Sequence, residues 1–222
     1  MDVLGDNKNN IVLITAPRCG STTFLQDIQD RHPRMINHHE SLRTLGYGYS
    51  KEAKSDQQRK SQFKQVVRDW NDPSLSNCVK LFPIMLTEHS SPWRKPRFAF
   101  DLLQKATHCY FLLRKDFPAQ VRSAVIAFYK TMHGDMNFHG SWEQPLHIPD
   151  IAETRKLIET AERQMYAQNY QVITMWNMIP EELVTKELIW LEDLDQSGKY
   201  NRPVEWEKFP NIQEYDWEIY FT

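Results

Sequence analysis

The run Ile11-Val12-Leu13-Ile14, followed closely by Arg18, Gly20 and Ser21-Thr22-Thr23, constrains this chain more than any other feature. Four consecutive aliphatic residues suit a strand buried on both faces, as in a parallel sheet. Thr15 to Gly20 break that pattern, and the sequence through Ile28 then reads as a helix. Ser21, Thr22 and Thr23 are helix-capping residue types, and the free N–H groups and positive dipole end of the helix they open attract an anion. Gly20 lets the backbone approach a ligand closely, while Arg18 supplies a fixed charge with forked donors. Strand, glycine turn and Ser/Thr cap also occur where nothing binds, so the spacing of the cation has to decide the chemistry.

A Walker A loop requires lysine immediately after its last glycine. Here Ser21 stands in that place, and the cation is Arg18, two residues before Gly20. The pattern P-[RK]-x-G-[ST]-T resembles the 5′-phosphosulfate loop of sulfotransferases that use 3′-phosphoadenosine 5′-phosphosulfate (PAPS). That resemblance implies a three-layer α/β/α fold with a mainly parallel sheet, of the P-loop NTPase-like sulfotransferase kind. It also implies that Arg18, Cys19, Gly20, Ser21, Thr22 and Thr23 hold the 5′-phosphosulfate.

A chain of 222 residues can bury a full α/β core, and one domain spanning residues 1–222 is expected. A formal charge of −2 provides no general basic field for nucleic acid, so an anion site must be local. Three cysteines, Cys19, Cys78 and Cys109, form no close pair and fit reduced thiols in a cytoplasmic setting. The start, MDVLGDNKNN, lacks a basic and apolar leader, and no segment approaches the roughly 20 apolar residues of a membrane span. Golgi sulfotransferases carry such an anchor; the expectation here is a chain without one.

Further along, His32-Pro33 ends the first helix, Arg34 to Asn37 reads as a short strand, and Phe63, Val66, Val67 and Trp70 mark an amphipathic helix. Asn77 to Pro83 and Thr107 to Leu113 read as strands, separated by a loop over Thr87 to Pro96 and a short helix over Phe98 to Lys105. Pro118 suits the first turn of the next helix, whose stripe is Val121, Ala124, Val125 and Phe128. His133 to Asp150 reads as a long loop and Ile151 to Asn169 as a helix that Tyr170 to Ile179 extends or follows. Glu187 to Leu191 reads as the last strand. Strands alternating with helices imply an α/β sheet, mainly parallel.

The segment Tyr110 to Tyr129 places Arg114 at a second strand end, with Arg122 and Ser123 on the helix after it. Ligands of parallel sheets collect at the carboxyl ends of strands, so both basic segments can address one nucleotide. This segment resembles the 3′-phosphate-binding region of the same sulfotransferases, where a strand-end Arg and a helix Ser hold the phosphate. Ser usually follows Arg by eight residues in that family. Here Ser123 follows Arg114 by nine, and Arg122 takes the eighth place. Either the turn at Phe117-Pro118 holds an extra residue or Lys115 takes part. The late segment Glu187 to Leu194 is similar to the family's strand-plus-YEDL element, with Leu191 in place of tyrosine; the usual nucleotide-covering RKG motif is not visible.

Transfer of a sulfuryl group requires alignment of the acceptor with the leaving group and stabilisation of charge on the bridging oxygen. Arg18 suits the second task, and Lys80, at a strand end on the same rim, either reaches the sulfuryl group or snorkels to the surface. A hydroxyl acceptor needs a general base. The cytosolic branch of the family uses a strand-end histidine where this chain has Phe82. In the carbohydrate and tyrosyl-protein branches, which the chain resembles more closely, a glutamate follows the His-Pro element, and Glu40 matches it, with His39 second. The alternatives for His38, His39 and Glu40 are a plain polar loop or a zinc site. The resemblance thus implies PAPS as donor, adenosine 3′,5′-bisphosphate (PAP) as product, no metal, and a hydroxyl-bearing small molecule, lipid or glycan as acceptor. A P-loop nucleotide or nucleoside kinase, or a PAP-binding protein without catalysis, are the competing readings.

Overall fold

The computed structural model describes residues 9–38, 56–83, 101–132 and 151–194. Its centre is β1 (Asn10–Thr15), in which all six residues are buried. A strand with no polar face needs cover on both sides and a partner at each edge. It pairs in parallel with β3 (Asn77–Leu81) on one side and β4 (His108–Leu113) on the other, with Leu13 level with both Lys80 and Tyr110. Next to β3 lies the two-residue β2 (Ile36–Asn37), and next to β4 lies β5 (Thr185–Trp190). The sheet is therefore entirely parallel, in the order β2-β3-β1-β4-β5.

Neighbouring residues on β4 show how the faces are covered, because successive side chains on a strand point to opposite sides. The ring of Tyr110 meets Phe24 of α1 (Ser21–Arg31) edge to face at 5.5 Å. Phe111 meets Trp176 of a long helix on the other side at 5.2 Å, also edge to face. Helix, sheet and helix are thus three layers, and the expected α/β class is what the chain adopts. Helix α2 (Asp56–Asn71) adds Trp70, whose Nε1 donates to the carbonyl of Leu102 in a helical turn at 101–104.

Two further helices shape the region after β4. Helix α3 (Phe117–Met132) packs Val121, Ala124, Val125 and Ile126 against Leu157, Ile158, Ala161 and Met165 of α4 (Ile151–Met178). The second half of α4 then covers the sheet with Val172, Trp176 and their neighbours. The sequence leaves open whether Tyr170 to Ile179 extends this helix; it does as far as Met178, in one unit of 28 residues that serves two packing surfaces. A final turn, α5 (Leu191–Leu194), follows β5 directly. The last strand runs from Thr185 to Trp190, displaced from the expected Glu187 to Leu191, because Leu191 turns inward as the first, buried residue of α5. Likewise β2 is shorter than the expected Arg34 to Asn37, since ladder bonds begin only at Ile36, whose N–H donates to Ser76. The expected loops at Thr87 to Pro96 and His133 to Asp150 lie outside the described residues.

The amino end of the sheet is closed by a polar network. Asn77, fully buried, donates from Nδ2 to Asn10 Oδ1 at 3.0 Å and to the Asp69 carbonyl at 2.9 Å, while its Oδ1 lies 3.0 Å from His38 Nε2. Asn10 Nδ2 donates in turn to the carbonyl of Trp70 at 3.1 Å. Polar groups this deep must be paired, and here side chains supply what the strand ends lack. His38 also lies 3.9 Å from an Asp69 oxygen, so its ring is engaged in this network. Among the described residues no helix is long and apolar enough to cross a membrane.

The strand order fixes where a ligand has room. From β1 the chain moves toward β2 and β3, whereas from β4 it moves the other way to β5. Connections that diverge from adjacent strands leave a crevice at their carboxyl ends. The β1–α1 and β4–α3 turns border that crevice.

Candidate functional site

The β1–α1 turn is built by backbone conformation. Arg18 has φ 66°, the only positive φ of a non-glycine among the described residues, and Gly20 has φ 69°. Cys19 between them is not left-handed, so the hand alternates over three residues. That alternation is the form of a backbone nest, in which successive N–H groups converge on an anion. A left-handed arginine costs about 1–2 kcal/mol, because its Cβ crowds the following carbonyl.

Gly20, not a hydroxyl residue, is the N-cap of α1, and no side chain caps the helix. This corrects the expectation that Ser21, Thr22 and Thr23 cap it: they are its first three residues. The physical reason is that left-handed Gly20 enters the helix directly, its carbonyl accepting from Phe24 N at 3.0 Å. The N–H groups of Ser21, Thr22 and Thr23 precede the first intrahelical bond, and no acidic residue stands in that turn. The helix end is thus chemically suited to an anion rather than to an internal carboxylate.

The two expected half-sites meet. Arg18 Nε donates to Ser123 Oγ at 2.9 Å, across 105 residues of chain. Ser123 therefore faces the β1–α1 turn. In the turn before α3, Phe117 N donates to the carbonyl of Lys115 at 2.9 Å, and Asp116 Oδ1 accepts from Ala119 N at 2.9 Å as a helix cap. Lys115 is not turned to the crevice: its Nζ pairs with Asp193 Oδ1 at 2.5 Å.

Arg114 and Arg122 share one electrostatic neighbourhood. Burial is the first cause that lowers the Arg122 pKa from its ordinary 12.5; Asp116 opposes this, and the like charge of Arg114 adds to it. Arg114 lies 3.7 Å from Glu192 Oε1. The same carboxylate accepts from the backbone N–H groups of Lys115 at 2.8 Å and Asp116 at 3.0 Å. Glu192 and Asp193 of α5 thus hold the β4–α3 turn in shape, which gives the late EDL residues a structural task.

On the other side of β1, Lys80 is 4 % exposed and its Nζ lies 3.4 Å from Thr22 Oγ1 and 5.3 Å from the centre of the Phe82 ring. The surface-snorkelling alternative fails, because the amine points along the sheet to the start of α1. Cys19 is fully buried, and burial pushes its thiol up to about 12, although Arg114 and Arg18 pull the other way. A buried thiol raised in this way is not held as a thiolate. Cys78 and Cys109 are also buried free thiols raised by burial.

Glu40 and His39 lie outside the described residues. Their neighbour His38 is committed to Asn77 and Asp69. Sequence reasoning missed Gln120 and Asn169. Gln120 Nε2 donates to the carbonyl of Pro17 at 2.8 Å, and its amide pairs reciprocally with that of Asn169. The available signal was positional: Gln120 is one turn before Ser123, hence on the same helix face. No protein-family model and no curated protein matches this chain.

Proposed function

We propose that this chain moves a sulfuryl group from PAPS to a hydroxyl acceptor. The observation that carries the reading is the Arg18–Ser123 hydrogen bond at 2.9 Å, which unites the loop resembling a 5′-phosphosulfate site with the segment resembling a 3′-phosphate site. Two anion-binding elements joined at one crevice fit a nucleotide with phosphates at both ends of its ribose. In this reading the N–H groups from Cys19 to Thr23 and the hydroxyls of Ser21, Thr22 and Thr23 hold the 5′ end. Arg114 and Ser123 hold the 3′-phosphate with Arg122 beside them, and the Ser123 hydroxyl retains its own proton for donation while it accepts from Arg18.

The acceptor oxygen attacks sulfur in line, the bond from sulfur to the bridging oxygen breaks, and PAP leaves with that electron pair. Arg18 and Lys80 counter the charge that gathers on the bridging oxygen. Glu40, or failing it His39, takes the acceptor proton. Lysine is absent directly after Gly20, which speaks against phosphoryl transfer from ATP.

At a hundredfold excess over its Kd, PAP is expected to stabilise the folded chain by about 2.7 kcal/mol. For a chain of this length that raises the melting temperature by about 5–10 °C. AMP and ATP should raise it less at equal concentration, and a response to AMP equal to that of PAP would remove the 3′-phosphate site. A larger response to ATP with Mg²⁺ would favour a kinase.

An acceptor screen with labelled PAPS then names the co-substrate. With that acceptor, Glu40→Gln should slow transfer by about 100- to 10,000-fold while PAP binding persists, as for loss of a general base. Unchanged turnover would assign the base elsewhere. Tight PAP binding with no transfer to any acceptor would mark a binding protein.

A further inference from the structure

Gln120 is completely buried, although it is polar and carries no charge to pair. Its Nε2 has two hydrogens, and they meet the Pro17 carbonyl at 2.8 Å and Asn169 Oδ1 at 3.2 Å; Cys19 Sγ lies at 3.3 Å. Its Oε1 accepts from Asn169 Nδ2 at 2.8 Å. All the hydrogen-bonding capacity of the amide nitrogen is in use, and its direction is set from outside. With the amide reversed, its oxygen would face the Pro17 carbonyl, acceptor against acceptor, and Asn169 would meet the wrong partner.

Asn169 occupies the stretch of α4 between Met165, which packs on α3, and Val172, which packs on the sheet. Pro17 directly precedes left-handed Arg18, and Ser123 holds the Arg18 side chain from one turn further along α3. The face of α3 that carries Gln120 and Ser123 thus grips the turn at its backbone and at its guanidinium. We infer that the Gln120–Asn169 pair is a positioning device: it fixes the Pro17 carbonyl, keeps the backbone at Arg18 left-handed, and so maintains the anion-binding form of the turn. The ligand named in the test rests on the sulfotransferase reading, but the positioning itself does not.

The test uses the full chain without ligand, with backbone NMR of Arg18 and Gly20 as readout, since Cα and Cβ shifts report the hand of a residue. In Gln120→Met, of similar length and without polar atoms, the Arg18 shifts should move away from left-handed values while those of Cys109 to Leu113 in β4 stay in place. Asn169→Ala removes the orienting partner from a less buried position and should move the same Arg18 shifts to a smaller extent; it also serves if Gln120→Met does not fold. Gln120→Glu adds a readout that plain packing would not move. Protonated, its carboxyl can donate to the Pro17 carbonyl; ionised, it cannot. The Arg18 shifts should therefore be native at low pH and depart as pH rises, with no such change in the parent chain. Arg18 shifts that stay left-handed in every variant, or move only together with all of β4, would overturn the inference.

A parallel titration with PAP separates the two claims. If the competent turn falls to about a tenth of the population, PAP binds about tenfold more weakly in Gln120→Met. Should the parent chain fail to bind PAP, the sulfotransferase reading falls, and the Arg18 shifts alone decide the positioning role.

Discussion

Arg18→Gly is expected to lower sulfuryl transfer by about 100- to 1,000-fold, the cost of removing one donor aimed at developing charge. Its fold should stay intact or become slightly firmer. The two effects have separate causes. Arg18 sits at φ 66°, where an L-residue with a Cβ costs about 1–2 kcal/mol and glycine costs nothing sterically. Glycine loses about 0.5–1 kcal/mol through the greater freedom of the unfolded chain, so the backbone account favours it slightly. The variant also gives up the 2.9 Å bond to Ser123, which contributes about 1 kcal/mol and leaves a hydroxyl that is only half-buried. The sum is near zero. Scanning calorimetry should find a melting temperature close to that of the parent, while turnover with the acceptor from the labelled-PAPS screen collapses. A loss of activity that merely tracks a loss of folded protein would reduce Arg18 to a structural residue. Strain retained at Arg18 is what a functional constraint of the proposed kind would leave behind.

Much of this frame is legible in the sequence because local pattern and global burial agree. Ile11 to Ile14 and Cys109 to Leu113 are continuous apolar runs, and both are central strands with two covered faces. The helix stop at His32-Pro33 and the start near Pro118 follow from backbone chemistry that needs no tertiary context. What is not legible depends on distant contacts. The strand order decides that β1 and β4 are neighbours, and periodicity carries no information about order. The choice between Ser123 and Arg122 turns on one residue in a turn, and a helix rotates about 100° per residue, so spacing alone leaves it open. Gln120 and Asn169 are 49 residues apart and look like ordinary polar positions on two helices. The N-cap expectation failed because a left-handed glycine can enter a helix without a side-chain cap, and nothing in the residue types distinguishes that from a hydroxyl cap. Glu40 and His39 follow from the resemblance alone.

Lys80→Met should reduce transfer by about 100- to 1,000-fold as well, and should change stability by no more than about 1 kcal/mol in either direction. The amine is held in a place that is poor for a charge: the residue is 4 % exposed, in a strand flanked by β1 and β2, with an aromatic ring 5.3 Å away. Burying an ammonium there carries a desolvation cost, and its Nζ lies 3.4 Å from Thr22 Oγ1. Methionine occupies nearly the same volume without that cost, and flexible Met tolerates an irregular site. In the proposed reading, its charge meets that of the ligand at the start of α1. Affinity for PAP, which lacks the sulfuryl group, should fall less than turnover does. That split between binding and kcat is the decisive measurement. Equal losses in both would make Lys80 a ground-state phosphate ligand, and full activity in Lys80→Met would remove it from the site.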